Sequence, residues 1–94
     1  INTAYRIRAT FGRAPAWAPT RVYDDGRRTW IEFPAGIAAA DMPPLFVRTG
    51  EGAEIVNYRV QGNVYMLDRL FDAAELRLGR AQPVIVRIER RRRT

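Results

Sequence analysis

The side chains able to do chemistry in this 94-residue chain are ten carboxylates, four tyrosines, a few threonines and sixteen positive charges, every one of them arginine. Cys, His, Ser and Lys are all absent. That removes thiolate and hydroxyl nucleophiles of the usual kind, imidazole bases, Schiff-base chemistry, the phosphate-loop lysine and the favoured zinc ligands. What remains is acid–base work by paired carboxylates. Asp24-Asp25 is one candidate pair, but the following Gly26 makes a hairpin turn the simpler explanation of both acids. On a solvated turn nothing would perturb them. Asp68, Asp72 and Glu75 would share one face if their segment were helical, and with Arg69, Arg77 and Arg80 close by they read as a solvated charged face. Gly50-Glu51-Gly52 is too short for a phosphate cradle, because a third glycine would be needed where Ile55 stands. The chain is expected to be no enzyme, to need no metal or cofactor, and to act by binding.

Binding chemistry is better represented. Strand alternation puts Trp30 on the side away from the core, beside Arg21, and Trp17 lies in a proline-rich loop. Exposed aromatics next to guanidinium groups are what protein interfaces use as anchors. The run Arg90 to Arg93 is expected to form a flexible tail over residues 89–94. Without those four the balance is twelve arginines against ten acids, so the overall charge of +6 overstates the basicity of the folded body. A small basic β-domain binding nucleic acid through arginine and aromatics is the alternative reading, and a carboxylate glycosidase fragment a more distant one.

These groups must be positioned by strands. Tyr5, Ile7, Ala9 and Phe11 alternate with Arg6, Arg8 and Thr10, the period of a strand with one apolar face. Pro15 and Pro19 make Gly12 to Pro19 a loop. Thr20 to Phe33 reads as a hairpin with a type I′ turn at Asp25-Gly26. That register pairs Val22 with Thr29 and Thr20 with Ile31 toward the core, and Tyr23 with Arg28 and Arg21 with Trp30 outward. Pro34 to Pro44 is a loop with a short helical turn at Ile37 to Asp41. Strands follow at Leu45–Arg48, at Ala53–Val60 with Val56, Tyr58 and Val60 on one face, at Val64–Arg69 and at Val84–Glu89. Residues 68–78 fit both a helix (Leu67, Leu70, Phe71, Ala74 and Leu78) and a strand, and the recurrence of turns elsewhere favours strands. The expected fold class is all-β, a small antiparallel β-sandwich. The longest apolar runs are four residues, against about 20 for a membrane-spanning helix.

Four blocks in order carry a family resemblance. Residues 22–34, VYDDGRRTWIEFP, resemble a VYDDGRKTYIQFP-like stretch of the TrbG/CagX family, and Pro44-Leu45-Phe46-Val47 its PALFV-like segment. Residues 56–63, VNYRVQGN, are similar to its VNYRVKGN, and residues 68–79, DRLFDAAELRLG, to its DRLFDRAELRLG. Trp30 stands where Tyr is commoner, and Arg or Gln replaces Lys. The blocks fall within roughly residues 4 to 89.

The resemblance implies a single C-terminal β-sandwich domain, residues 1–94, of a longer protein whose N-terminal domain this chain lacks. It implies a structural subunit of the outer-membrane core complex of a conjugative type IV secretion system, in the periplasm and associated with the outer membrane. It further implies binding of a small outer-membrane lipoprotein and of the TonB-like channel subunit, within a homo-oligomeric ring. An open sheet edge is a physical route for docking an extended lipoprotein segment. The terminal strand, Tyr5, Arg6, Ile7, Arg8, Ala9 and Thr10, is the expected edge, with Trp17 and Trp30 as further partner-binding residues.

Overall fold

Alternating apolar and polar side chains can be satisfied only if one face of each strand is covered, and here two sheets cover each other. The computed structural model describes residues 1–91. Its strands are β1 (Tyr5–Ala9), β2 (Arg21–Asp24), β3 (Thr29–Glu32), β4 (Leu45–Thr49), β5 (Gly52–Ile55), β6 (Arg59–Gln61), β7 (Val64–Leu67), β8 (Ala73–Leu78) and β9 (Val84–Arg90). One sheet has the order β1-β9-β8-β4-β5 and the other β2-β3-β7-β6, with every pairing antiparallel. The core lies between them. Val22, Ile31, Tyr65 and Leu67 from the four-stranded sheet, with Phe33 just past the end of β3, meet Leu45, Val47, Ala74, Leu76, Val86 and Ile88 from the five-stranded one. This is the expected antiparallel sandwich. Residues 68–78 contain β8 and no helix, because Ala74 and Leu76 fill the core while Glu75 and Arg77 face outward.

The β2–β3 hairpin keeps the expected faces but not the expected register. Val22 pairs with Ile31, Tyr23 with Trp30 and Asp24 with Thr29, so the loop centres on Gly26-Arg27. Only Gly26 has positive φ (91°), whereas a type I′ turn at Asp25-Gly26 needs Asp25 there as well. Glycine first and a negative-φ residue second is the sign pattern of a type II′ turn. The aspartates explain the shift by acting as acceptors. Asp24 Oδ1 takes the Gly26 N–H (2.9 Å), and Asp25 Oδ1 takes those of Arg27 (2.9 Å) and Arg28 (2.8 Å). The pairing has slipped by two residues, the side-chain period, so no residue changed face. The outward neighbours did change. Tyr23 stacks on Trp30 at 5.5 Å, Arg21 lies 4.7 Å over the Tyr23 ring, and Arg28 instead pairs with Asp68 at 3.0 Å.

The expected strand Ala53–Val60 is two strands in different sheets. β5 ends at Ile55 and β6 begins at Arg59, while Val56 and Tyr58 pack against the core as the chain crosses over. Tyr58 stacks on Tyr65 at 4.4 Å, and Val60, opposite Tyr65 in the register, shares its face but is 53% exposed on the edge strand β6. The short helical turn is a 3-10 turn at Ala39–Asp41. Phe11 does not continue the apolar face of β1 but is 93% exposed, because the strand ends at Ala9 and the chain bends away. At the other end β9 runs through Arg90, and the Arg91 N–H reaches the Ala4 carbonyl at 2.7 Å. Residues 89–91 are therefore held in the sheet and are not a tail; the expectation for residues 92–94 lies outside the described residues.

Candidate functional site: the free edge of the five-stranded sheet

β1 pairs on one side only, with β9, in the register Tyr5↔Arg90 to Ala9↔Val86. Which backbone groups are spare follows from two bonds. Arg91 N–H donates to the Ala4 carbonyl and Thr10 N–H donates to the Ile85 carbonyl (3.0 Å). Hydrogen-bonded pairs alternate along an antiparallel ladder. Ala4, Arg6, Arg8 and Thr10 therefore turn their backbone groups toward β9, while Tyr5, Ile7 and Ala9 turn theirs away. The Tyr5 N–H is taken by the Thr3 carbonyl (2.8 Å). The N–H groups of Ile7 and Ala9 and the carbonyls of Tyr5, Ile7 and Ala9 are left on the unpaired edge, a template for an added strand.

Side chains give this edge two unlike sides. Tyr5, Ile7 and Ala9 face the core and are half-buried. The Tyr5 ring lies 5.9 Å from Phe71, and its hydroxyl donates to Asp24 of the other sheet. Asp24 is only 1% exposed and also accepts from Asn2 Nδ2 (3.0 Å) and the Gly26 N–H. Burial alone would raise its pKa, but the hydrogen bonds from Tyr5, Asn2 and Gly26, with the Arg90 charge, outweigh it and hold the carboxyl below its ordinary value. Asp24 is thus no solvated turn residue: it ties the start of β1 to β2. Burial together with the Asp24 carboxylate pushes the Tyr5 hydroxyl well above the usual phenol range.

On the opposite side Arg6 and Arg8 face away from the core, at the end of an ionic layer that sequence reading missed. Glu75 at its centre is 2% exposed although its strand points it outward. Arg77 and Arg87 clamp its two oxygens at 2.7 and 2.6 Å, and Arg48 lies 3.9 Å away. Burial works against its charge, but the arginine hydrogen bonds prevail and lower its pKa. Arg8 joins the layer through Glu89 at 2.9 Å. Arg48 and Arg87 lie 27 and 12 positions from Glu75 in the sequence. No local pattern announces the cluster, although an acid within an otherwise apolar alternation was a signal.

The remaining expected site residues do not join this edge. Trp30 lies on the outward face of the four-stranded sheet, on the opposite side of the sandwich from Arg6 and Arg8. Trp17 packs against the core and lines a 420 Å³ groove with Ile37 and Leu78. Asp25 and Gly26 form the hairpin loop beside a 510 Å³ bowl in which Arg28 and Arg59 hold Asp68 at 3.0 and 2.7 Å. Those bonds, from Arg59 first, lower the Asp68 pKa. Among the described residues no helix is long and apolar enough to cross a membrane.

A family model described as "Conjugal transfer protein", CagX, matches residues 1–91. The probable conjugal transfer protein TrbG of Sinorhizobium fredii (strain NBRC 101917 / NGR234) is 38% identical over 90 residues, which make up 93% of this chain and 32% of that relative. The chain therefore spans about a third of the length of the curated relative it matches.

Proposed function

The chain belongs to the CagX family of conjugal transfer proteins, and from that premise we propose that it is the C-terminal β-sandwich of a structural core-complex subunit in a type IV secretion system. It works in the periplasm, against the outer membrane, within a homo-oligomeric ring. It contributes contacts rather than catalysis, and its partners are a small outer-membrane lipoprotein and the TonB-like channel subunit. An extended segment of the lipoprotein docks along β1 as a further strand of the five-stranded sheet. The observation that carries this docking mode is the spare backbone of Ile7 and Ala9 on an edge whose inner side already rests on the core. Main-chain hydrogen bonds would set the register, and side chains on alternate residues the choice of partner. Trp17 and Trp30 are set apart from β1 and are available to other subunits of the assembly.

Amide hydrogen exchange with and without the lipoprotein peptide tests the docking. New protection at Ile7 and Ala9 is expected, with the inward amides of Arg6 and Arg8 already slow in the free protein. Protection confined to another strand would move the site, and no protection would remove lipoprotein binding from this domain. Ile7→Pro gives the matching loss of function. Its N–H faces away from β9, so the substitution removes a docking donor without deleting a bond of the native ladder. A melting curve on the variant separates lost docking from lost fold.

A further inference from the structure

The side chains flanking the spare backbone specify what the added strand should look like, granted that β1 accepts one. Backbone direction and side-chain direction are linked at this edge. A strand laid antiparallel against β1 would make hydrogen-bonded pairs with Tyr5, Ile7 and Ala9, and non-hydrogen-bonded pairs with Arg6 and Arg8. Non-hydrogen-bonded pairs bring the two Cα atoms to about 4.5 Å and their side chains closest together. The residues opposite Arg6 and Arg8 therefore meet guanidinium groups at the shortest cross-strand distance available. Beyond them the outward face offers more of the same charge: among the described residues Arg6, Arg8, Arg48, Arg77 and Arg87 share that face with the acids Glu75 and Glu89. Glu75 is already enclosed by arginines, Glu89 is engaged by Arg8, and among the described residues Arg6 has no ion-pair partner.

We propose that the strand accepted at β1 belongs to a partner segment with carboxylates at two alternate positions, opposite Arg6 and Arg8, and apolar side chains at the positions between and beside them. The apolar set continues the core face of Tyr5, Ile7 and Ala9. The acidic set extends the row of charges across the outward face. The same pair of arginines opposes the commonest wrong partner, a second copy of the chain. Two β1 strands paired antiparallel about Ile7 would put Arg6 opposite Arg8 twice, and like charges directly opposite are destabilising. The edge is thus closed to itself and open to an acidic strand.

The test uses three short synthetic peptides with soluble Gly-Ser flanks: Val-Glu-Val-Glu-Val, Val-Gln-Val-Gln-Val and Val-Lys-Val-Lys-Val. Each is titrated into the full chain at low salt, with binding read from the amide signals and exchange rates of Ile7 and Ala9. The glutamate peptide should bind about 10-fold tighter than the lysine peptide, with the glutamine peptide between, and added salt should narrow the spread. Arg6→Glu, an exposed position without an ion-pair partner among the described residues, should remove about half of that preference on the logarithmic scale. The double variant with Arg8→Glu should reverse it. Equal affinity of all three peptides with Ile7 and Ala9 protected would overturn the acidic specificity and leave strand addition standing. Glutamate-peptide binding that leaves Ile7 and Ala9 unprotected, or no binding of any peptide, would overturn both.

Discussion

The five-stranded sheet ends in two edges, β1 and β5, which are equally unpaired and otherwise unalike. Tyr5 and Ile7 of β1 rest on the core, and its partner strand β9 contributes the fully buried Val86 and Ile88 directly opposite Ala9 and Ile7. β5 is paired with β4, but Glu54, opposite the buried Val47, is itself exposed, and Ile55 is 86% exposed. β5 overhangs the sandwich, with little beneath its inner side. An open backbone edge alone is a hazard for aggregation. The proposed docking needs a core to extend on one side and a charge to match on the other, and of these two edges β1 has that combination.

The largest effect expected from this contrast is on stability. Ile88→Ala, opposite Ile7, should cost about 2–5 kcal/mol, the usual range for emptying a buried aliphatic position. Ile55→Ala should stay within about 0.5 kcal/mol, as exposed substitutions do. Urea unfolding of both variants checks this, and comparable losses would break the distinction between the edges. Next is Asp24→Ala, which leaves the Tyr5 hydroxyl and Asn2 amide without their acceptor and should cost about 1–3 kcal/mol. Its exchange signature should be faster opening of β1, with β5 unaffected.

Acidification probes the same anchor. Asp24 and Glu75 have folded-state pKa values below their ordinary ones. Their contribution to stability is therefore fully present above the ordinary carboxylate range of about 4 and is lost as pH falls through it and through the lower folded-state values. Midpoints of urea unfolding should drop across that window, and Asp24→Asn should flatten the dependence by removing one of the two buried carboxylates that contribute to it. A smaller effect belongs to the hairpin loop. Gly26 has φ of 91° and open space around it, so Gly26→Ala meets a conformational penalty without a clash, about 1 kcal/mol by thermal melting.

The strands themselves were legible because their patterns are local. Tyr5, Ile7 and Ala9 alternate with Arg6 and Arg8, and Val22, Ile31 and Phe33 fall on one side whichever hairpin register is chosen. The register was not legible, since it depends on which N–H groups Asp24 and Asp25 capture, and both registers bury the same residues. The break between β5 and β6 was hidden because no glycine or proline marks residues 53–60, and Val56 and Tyr58 remain inward as the chain changes sheets. For the candidate site, a terminal position pointed to β1 as an edge. The direction of its spare N–H groups could not be read, because it is fixed by pairing with a strand some 80 residues away. The Glu75 cluster showed only as an acid set in an apolar alternation, because Arg48 and Arg87 reach it from other strands.

The neighbouring positions of Ala4 and Arg91 have a mechanical consequence. β1 and β9 run antiparallel, with the start of one beside the end of the other. A pull on the two ends of the chain does not load the rungs of this ladder together, as shear would. It opens them one at a time, after the Asn2–Asp24 bridge, like a zipper drawn from its end. Zippered strands yield at low force, so β1 is the first element that tension would free from the sandwich. A strand docked on β1 would then lose the core surface beneath it, and its release would follow the load on the chain as well as the concentration of its partner.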